Sequence, residues 1–192
     1  MTTARSRLTP EREVELFDAV LALLREVGYS ALTMDAVAAR TRSSKATLYR
    51  QWGSKPQLVA TALQRCPPHG DIDIDTGSLR GDFHALLSHS DDAQMKQDSE
   101  LIRGLFQAVH EDRDLYEALQ ERFIGPEISR LTEVVDRAVA RGEVRSDNPA
   151  RELAAHMLLG AFFTREIIDD QFPDREFLTR YIDSVVLPAL EA

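Results

Sequence analysis

The sequence predicts an all-α protein built in two parts. Apolar residues recur at helical spacing along almost the whole chain, and no segment shows the strict alternation of a half-buried strand. The segment CPPHG, residues 66–70, combines two prolines with a glycine and cannot continue a helix. We therefore expect an N-terminal three-helix domain at residues 9–65, followed by a larger helical domain at residues 70–192.

Capping signals place the first two helices. Thr9 is a suitable N-cap with Pro10 at the first helical position, and Gly28 is suited to the C-terminal end of this helix. Thr33 provides the N-cap of a second, short helix that ends near Thr41. The apolar face of the first helix consists of Phe17, Val20, Leu21, Leu24 and Val27.

Further helices follow after tight turns. The run KATLYRQW, residues 45–52, is stopped by Gly53, and a fourth helix is predicted from residue 55 to residue 65. The rest of the chain reads as five more helices. They are expected near residues 78–90, 94–111, 113–142 (with an interruption at Gly125-Pro126), 149–170 and 174–190.

Charge is distributed unevenly between the two parts. The 192-residue chain has a formal net charge of −9, yet residues 1–56 contain nine Lys/Arg and six Asp/Glu, a net of +3. The remainder has a net charge of −12. Because the local field decides which partner docks, this asymmetry indicates that the two parts bind different partners.

The second and third predicted helices, joined by a tight turn, form a helix-turn-helix motif. In that motif the second helix enters the major groove, where lysine and hydroxyl groups bond to phosphate oxygens and base edges. Lys55 begins the next helix, whose N-terminus also attracts phosphate. The candidate DNA-binding residues are Thr33, Ser44, Lys45, Thr47, Leu48, Tyr49, Trp52 and Lys55.

The stretch LFDAVLALLREVGYSALTMDAVAARTRSSKATLYRQWGSKPQLV resembles the DNA-binding region of TetR-family transcriptional regulators over roughly residues 11–64. The resemblance implies that Thr33 caps the second helix and touches phosphate, and that Lys55 clamps the DNA backbone. It implies that Lys45, Thr47 and Tyr49 of the third helix contact DNA. For Leu48 it implies a role that is partly packing. The chain departs from the family at two positions. Arg42 stands where a glycine is usual, and Gln51 stands where a histidine is usual, whereas the aromatic residue that follows is kept as Trp52.

For the second part, the resemblance implies an effector-binding and dimerisation domain whose last two helices pair across a twofold axis. The sequence is compatible with close helix packing, because small side chains alternate with apolar ones after residue 153. The small residues are Ala154, Ala155, Gly160 and Ala161, and the last helix offers Phe177, Tyr181, Val185 and Val186 to a partner. Burial of these residues inside one subunit is the alternative.

An effector pocket is expected in the second part, but the sequence does not define its chemistry. Candidate lining residues are Phe106, His110, Tyr116, Phe123 and Phe162. Aromatic residues at this spacing also occur in ordinary helical cores. The identity and charge of the effector stay open at this point.

Other classes of site have little support in the sequence. The single cysteine, Cys66, has no organised base beside it, and His84 and His89 lack metal-ligand spacing, so no metal or cofactor is expected. The longest nearly apolar run, residues 154–163, is too short to span a bilayer, and we expect a cytoplasmic protein. Arg5 and Arg7 form either a DNA-contacting arm or a solvated tail.

These observations predict a homodimeric, sequence-specific DNA-binding transcriptional regulator without enzymatic activity. We expect a repressor that a small-molecule ligand releases from a palindromic operator. One alternative is an α-helical ligand-binding protein or enzyme that acts through the C-terminal pocket alone. Another is an architectural protein that binds DNA without sequence preference.

Overall fold

The computed structural model describes residues 9–65, 74–88 and 92–191. Regular secondary structure in these ranges is helical throughout, which confirms the predicted all-α fold. The predictions for Arg5, Arg7, Cys66 and His89 concern residues outside the described ranges.

The helices follow one another closely, as their periodicity predicts. The first four are α1 (Pro10–Ala31), α2 (Met34–Thr41), α3 (Lys45–Trp52) and α4 (Lys55–Arg65). Then come α5 (Leu79–Ser88), α6 (Asp92–Val109) and α7 (Arg113–Leu119), a π-helical turn (Gln120–Ile124) and α8 (Gly125–Ala140). A 3₁₀ turn (Pro149–Leu153) precedes α9 (Ala154–Asp169), and α10 (Arg175–Tyr181), a second π-helical turn (Ile182–Val186) and α11 (Leu187–Glu191) complete the described chain.

Side-chain caps fix the helix starts that the sequence predicts. The Thr33 hydroxyl accepts the Ala36 N–H at 3.1 Å, and the Ser44 hydroxyl accepts the Thr47 N–H at 3.0 Å. Gly28 takes a φ of 73°, which interrupts the regular backbone of α1 where the sequence predicts its end. The first three helices of the chain therefore begin and end within a few residues of the predicted positions.

The turn between α2 and α3 places a non-glycine residue in the left-handed region. Arg42 has φ 52° and ψ 34°, where the resemblance leads one to expect glycine. A side chain with a Cβ is strained in this conformation. We expect Arg42→Gly to raise the free energy of unfolding by about 1 kcal/mol, and the melting temperature by about 2–4 °C for a chain of this size. Thermal and urea unfolding measure both quantities.

A matched control for this prediction lies two residues earlier. Arg40→Gly makes the same chemical change within α2, where glycine weakens a helix, and should lower stability. If Arg42→Gly also lowered the melting temperature, the conclusion that Arg42 is strained in this turn would be wrong.

The described residues pack into two compact units that do not follow the chain order. Unit 1 contains residues up to Pro67 together with Gly104–Phe123, and unit 2 contains Pro68–Arg103 together with Ile124–Ala192. In unit 1, α4 packs against both α1 and α7. The division therefore differs from two consecutive domains, because the 104–123 segment completes the core of the N-terminal unit.

The cores of the two units are apolar. That of unit 1 includes Val20, Leu48, Val59, Leu115 and Ala118. That of unit 2 includes Phe83, Val135, Ala138, Val186 and Leu187.

Helical structure continues through the predicted interruption at Gly125-Pro126. A wider π-helical turn ends at Ile124, and Pro126 lies in the first turn of α8. Proline is tolerated there because its missing N–H would have no intrahelical partner in a first turn.

Candidate nucleic-acid interface and ligand cavity

The α3 helix has two faces with different roles. Leu48 is completely buried, and Trp52 packs edge-on against Phe17 with ring centroids 5.8 Å apart. Lys45 and Tyr49 lie about 60° and 100° from Leu48 around the helix axis and are exposed, Tyr49 by 45%. The buried face anchors the helix, so the exposed face is free to meet a partner.

Leu48 corrects one of the predicted DNA contacts. Its side chain has no exposed surface, because it fills the core of unit 1 beneath α3. It therefore supports the helix and cannot reach a base edge. Trp52 is half-buried against Phe17, so only part of its ring is available to a ligand.

Hydroxyl groups organise the start of α3. The Ser44 and Thr47 side-chain oxygens lie 2.8 Å apart, next to the capping bond that the Thr47 N–H donates to the Ser44 hydroxyl. Thr33 caps α2 and is exposed. These three side chains lie where predicted, at or near the N-termini of two short helices.

Lys45 has an acidic neighbour that the motif did not indicate. Its ammonium donates to the Asp35 carboxylate at 2.8 Å, and this bond raises the pKa of Lys45. Both side chains are exposed, so the pair contributes little stability and exchanges readily with water or another anion. Asp35 belongs to the first turn of α2.

The exposed α3 face also contains a cation that the predicted set omitted. Arg50 is exposed and follows Tyr49 on the helix, five residues after Lys45. With about 100° between successive residues, Arg50 is about 200° from the buried Leu48 and points away from the core, whereas Tyr49 is about 40° from Lys45. Its position around the helix relative to Leu48 was the signal that could have identified Arg50 from the sequence.

Lys55 is held by its own protein. Its ammonium donates to the Tyr29 carbonyl at 3.0 Å and lies 4.0 Å from the centroid of the Tyr29 ring. The Tyr29 hydroxyl in turn donates to the Asp112 carboxylate at 2.8 Å. This network fixes the ammonium at the N-terminus of α4.

The ionisation of this network follows from its geometry. Burial, followed by the bond to Asp112, raises the pKa of Tyr29, so its hydroxyl stays a donor. The bond from the Leu115 N–H is the largest cause that lowers the pKa of Asp112. Asp112 is therefore an ionised cap of α7 at neutral pH.

Unit 2 contains a cavity of about 350 Å³. Most of its wall is apolar, and Phe83, Met95, Phe162 and Phe163 are among the side chains that form it. The volume lies at the lower end of the range of about 300–1,000 Å³ for small-molecule sites. The arrangement suits a compact apolar ligand.

Of the five predicted ligand contacts, Phe162 alone lines this cavity. The other four are Phe106, His110, Tyr116 and Phe123, and all belong to unit 1. They do not line the cavity because residues 104–123 fold with α1 and α4. Tyr116 is instead exposed beneath the Arg113 guanidinium, and the His110 ring bonds to the Phe106 carbonyl.

Two family models match the chain. A model described as bacterial regulatory proteins of the tetR family matches residues 16–62. A model of the tetracyclin repressor-like C-terminal domain matches residues 73–185, which is more than half of the sequence. The chain belongs to the TetR family.

Individual relatives agree with this assignment. The chain is 35% identical over 179 residues to an uncharacterized HTH-type transcriptional regulator of Mycobacterium tuberculosis, covering 93% of this chain and 88% of the relative. It is 31% identical over 177 residues to the DNA-binding transcriptional repressor TetR of Mycobacteroides abscessus, covering 92% of each. The crystal structure of the TetR family transcription regulator SCO0332 matches with a TM-score of 0.70 at 27% identity, covering 93% of this chain and 98% of the other.

This TetR-family protein is therefore a helix-turn-helix transcriptional regulator that binds DNA, as the sequence predicts. Members of the family are transcriptional regulators rather than enzymes. None of the described helices combines the length and apolar character that crossing a bilayer requires. Across residues 9–65, 74–88 and 92–191, no group of three His, Cys, Asp or Glu side chains is placed to hold a metal ion.

The α9 helix of the regulator has an uncovered apolar face. Leu153, Gly160 and Ile167 recur on one side of the helical axis, and Ile168 lies beside Ile167. Ile167 is 83% exposed and Ile168 74% exposed. A Cβ added to Gly160 would meet nothing within 4 Å, so nothing in the described part of the chain covers the middle of this face.

The exposed residues of unit 2 differ in part from those predicted for a partner surface. Ala154, Ala161 and Val186 are buried in unit 2 and are unavailable to a partner. Val185 is exposed, as predicted. The period of α9 places Ala154 and Ala161 towards its own core and Gly160 outwards.

Proposed function

We propose that this regulator is a cytoplasmic repressor that binds a palindromic operator through the exposed face of α3. The observation that carries the proposal is the division of α3, with Leu48 anchored in the core and Lys45 and Tyr49 exposed together. A relative that is 31% identical is named a DNA-binding transcriptional repressor. Lysine and tyrosine side chains are suited to phosphate oxygens and base edges.

The remaining predicted contacts are suited to the DNA backbone. Thr33, Ser44 and Thr47 present hydroxyl groups at or near helix N-termini, where backbone N–H groups also attract anions. Lys55 retains N–H donors beyond the one given to Tyr29, because an ammonium has three. We assign these four residues, with the exposed part of Trp52, to phosphate and sugar contacts that fix the register of α3.

A homodimer supplies the second recognition helix. The uncovered face of α9, defined by Leu153, Gly160, Ile167 and Ile168, is apolar and suits a second copy of the same face. Its central glycine permits close approach of another helix. Two α3 helices separated by about 34–36 Å would read successive half-sites on one side of the duplex.

Release of the operator is assigned to a ligand in the cavity of unit 2. Such a ligand lowers DNA affinity only if it binds the DNA-incompetent arrangement of the dimer more tightly than the competent one. A compact, mostly apolar cavity is suited to a small organic molecule.

Selection of bound DNA from a random pool tests this proposal and provides the operator for quantitative work. With that operator, we expect Lys45→Ala and Tyr49→Ala each to weaken binding about tenfold or more, because each removes a contact to base or phosphate. Fluorescence anisotropy gives the affinities. Lys45→Ala should also reduce the salt slope by about 1 for each half-site.

Arg65→Ala is the matched control. Arg65 is an exposed cation at the opposite end of α4 from Lys55, so its loss changes net charge equally and should leave operator affinity within about twofold. Lys55→Ala is a poorer probe, because it also removes the bond to Tyr29. Recovery of no preferred sequence, or unchanged affinity in both α3 variants, would refute the assignment.

A further inference from the structure

The charged groups around the unit 2 cavity are concentrated on α8. Glu127, Arg130, Glu133 and Arg137 line it from that helix, and Asp98 lines it from α6. The rest of the wall is apolar. These five are therefore the side chains of the wall that can match a polar group of a ligand, and a buried polar group without a partner is costly.

The three carboxylates of the wall do not require a ligand. The Gln94 side-chain amide donates hydrogen bonds to both carboxylate oxygens of Asp98, at 2.9 and 3.0 Å. Glu127 accepts from Arg130 at 3.0 Å. Glu133 is exposed, so water solvates it. Each of these acids therefore already has a hydrogen-bond donor or water as a partner.

Arg137 is the cation of this wall that has no acidic partner among the described residues. Within residues 9–65, 74–88 and 92–191, no carboxylate lies within 4.0 Å of its guanidinium, and its one hydrogen bond there goes to the neutral Ile74 carbonyl. Its Nε is buried and has no acceptor among those residues. Arg151 and Arg165 also have a buried Nε without an acceptor, but each of them pairs with an aspartate.

We propose that the cavity takes a monocarboxylic acid with an apolar body, and that the carboxylate bonds to the Arg137 guanidinium. The proposal rests on the assignment of this cavity as the effector site. A guanidinium offers several N–H donors in a planar fork that matches a carboxylate, and such charge-assisted bonds are stronger than neutral ones. The apolar wall buries the remainder of the molecule.

The cavity volume sets the size of suitable probes. Its 350 Å³ corresponds to about twelve groups of roughly 30 Å³, the volume of one water molecule. Decanoate has ten carbons and two oxygens, which matches that number. Decanol and decylamine share its chain length and replace the carboxylate by a neutral or a cationic group.

Isothermal titration of the full-length protein with the three probes, each as a monomer in solution, tests the proposal. We expect decanoate to bind about tenfold to a hundredfold more tightly than decanol, the range that a charge-assisted bond supports, and decylamine to bind more weakly still. Arg137→Met should remove the advantage of decanoate and leave decanol binding within about twofold. Arg137→Lys should retain part of the advantage.

Arg130→Met is the matched control. It removes a cation from the same wall, but Arg130 is already bonded to Glu127, so the preference for decanoate should persist. Circular dichroism establishes that each variant is folded. Should Arg137→Met not fold, the comparison of the three probes with the wild-type protein and Arg137→Lys still decides the proposal.

Three outcomes would overturn the assignment. They are equal affinity for decanoate and decanol, an advantage of decanoate that survives Arg137→Met, and no binding of any probe. Operator binding is measured separately in the same preparations. If the protein binds its selected operator but shows no preference for decanoate, the proposed ligand class is wrong and the proposed DNA-binding role is unaffected. Failure of operator selection counts against the regulator proposal alone.

Discussion

Replacing Ile167 and Ile168 together by glutamate is expected to yield a monomer that binds the operator about 10²–10⁴-fold more weakly. The two side chains are 83% and 74% exposed on the uncovered α9 face. Four glutamates in a closed dimer would place like charges in a low-dielectric contact, where each requires a partner that this face does not offer. The loss in affinity follows because the second half-site is then bound by a separate molecule instead of a linked one.

Sedimentation velocity measures the mass of the variant, and anisotropy on the selected operator measures its affinity. Val14→Glu is the control, since Val14 is also an exposed apolar residue, 53% exposed, but belongs to α1 in unit 1. It should remain a dimer. A double variant that sediments as a dimer would exclude α9 as the interface and leave the DNA contacts of α3 unaffected.

Local features of this fold are well predicted by its sequence. Thr33 and Ser44 begin α2 and α3 because hydroxyl caps act within three residues, and the structure shows both capping bonds. Gly28 and Gly53 interrupt their helices with positive φ values of 73° and 76°. These signals depend on neighbouring residues alone, so no knowledge of the tertiary packing is needed.

Contacts between distant segments are less predictable. The periodicity of residues 104–123 correctly indicates helix, but it does not say that α7 packs on α4, which removes four of the five predicted pocket residues from the unit 2 cavity. The role of the Arg137 charge could not be predicted from the sequence either. Its lack of an acidic partner depends on where every other described carboxylate lies, and sequence spacing does not contain that information.

Leu48 is the residue for which the motif and the packing give different expectations. The motif places it among the DNA contacts, whereas the structure buries it completely in unit 1. We expect Leu48→Ala to lower the free energy of unfolding by about 3 kcal/mol, because it removes buried methyl groups and leaves a cavity that neighbouring side chains fill only in part. That is a large share of the roughly 5–15 kcal/mol that stabilises a typical protein. Urea unfolding followed by circular dichroism measures the change.

Tyr49→Ala is the informative comparison, because Tyr49 is the next residue of the same helix and is 45% exposed. Its loss should change stability by less than about 0.5 kcal/mol, as for most surface substitutions, while weakening operator binding. Leu48→Ala should show the reverse pattern once affinity is expressed per folded molecule. If Leu48→Ala instead kept full stability and lost operator affinity, Leu48 would have to leave the core on binding, and α3 could not act as the rigid reading helix described above.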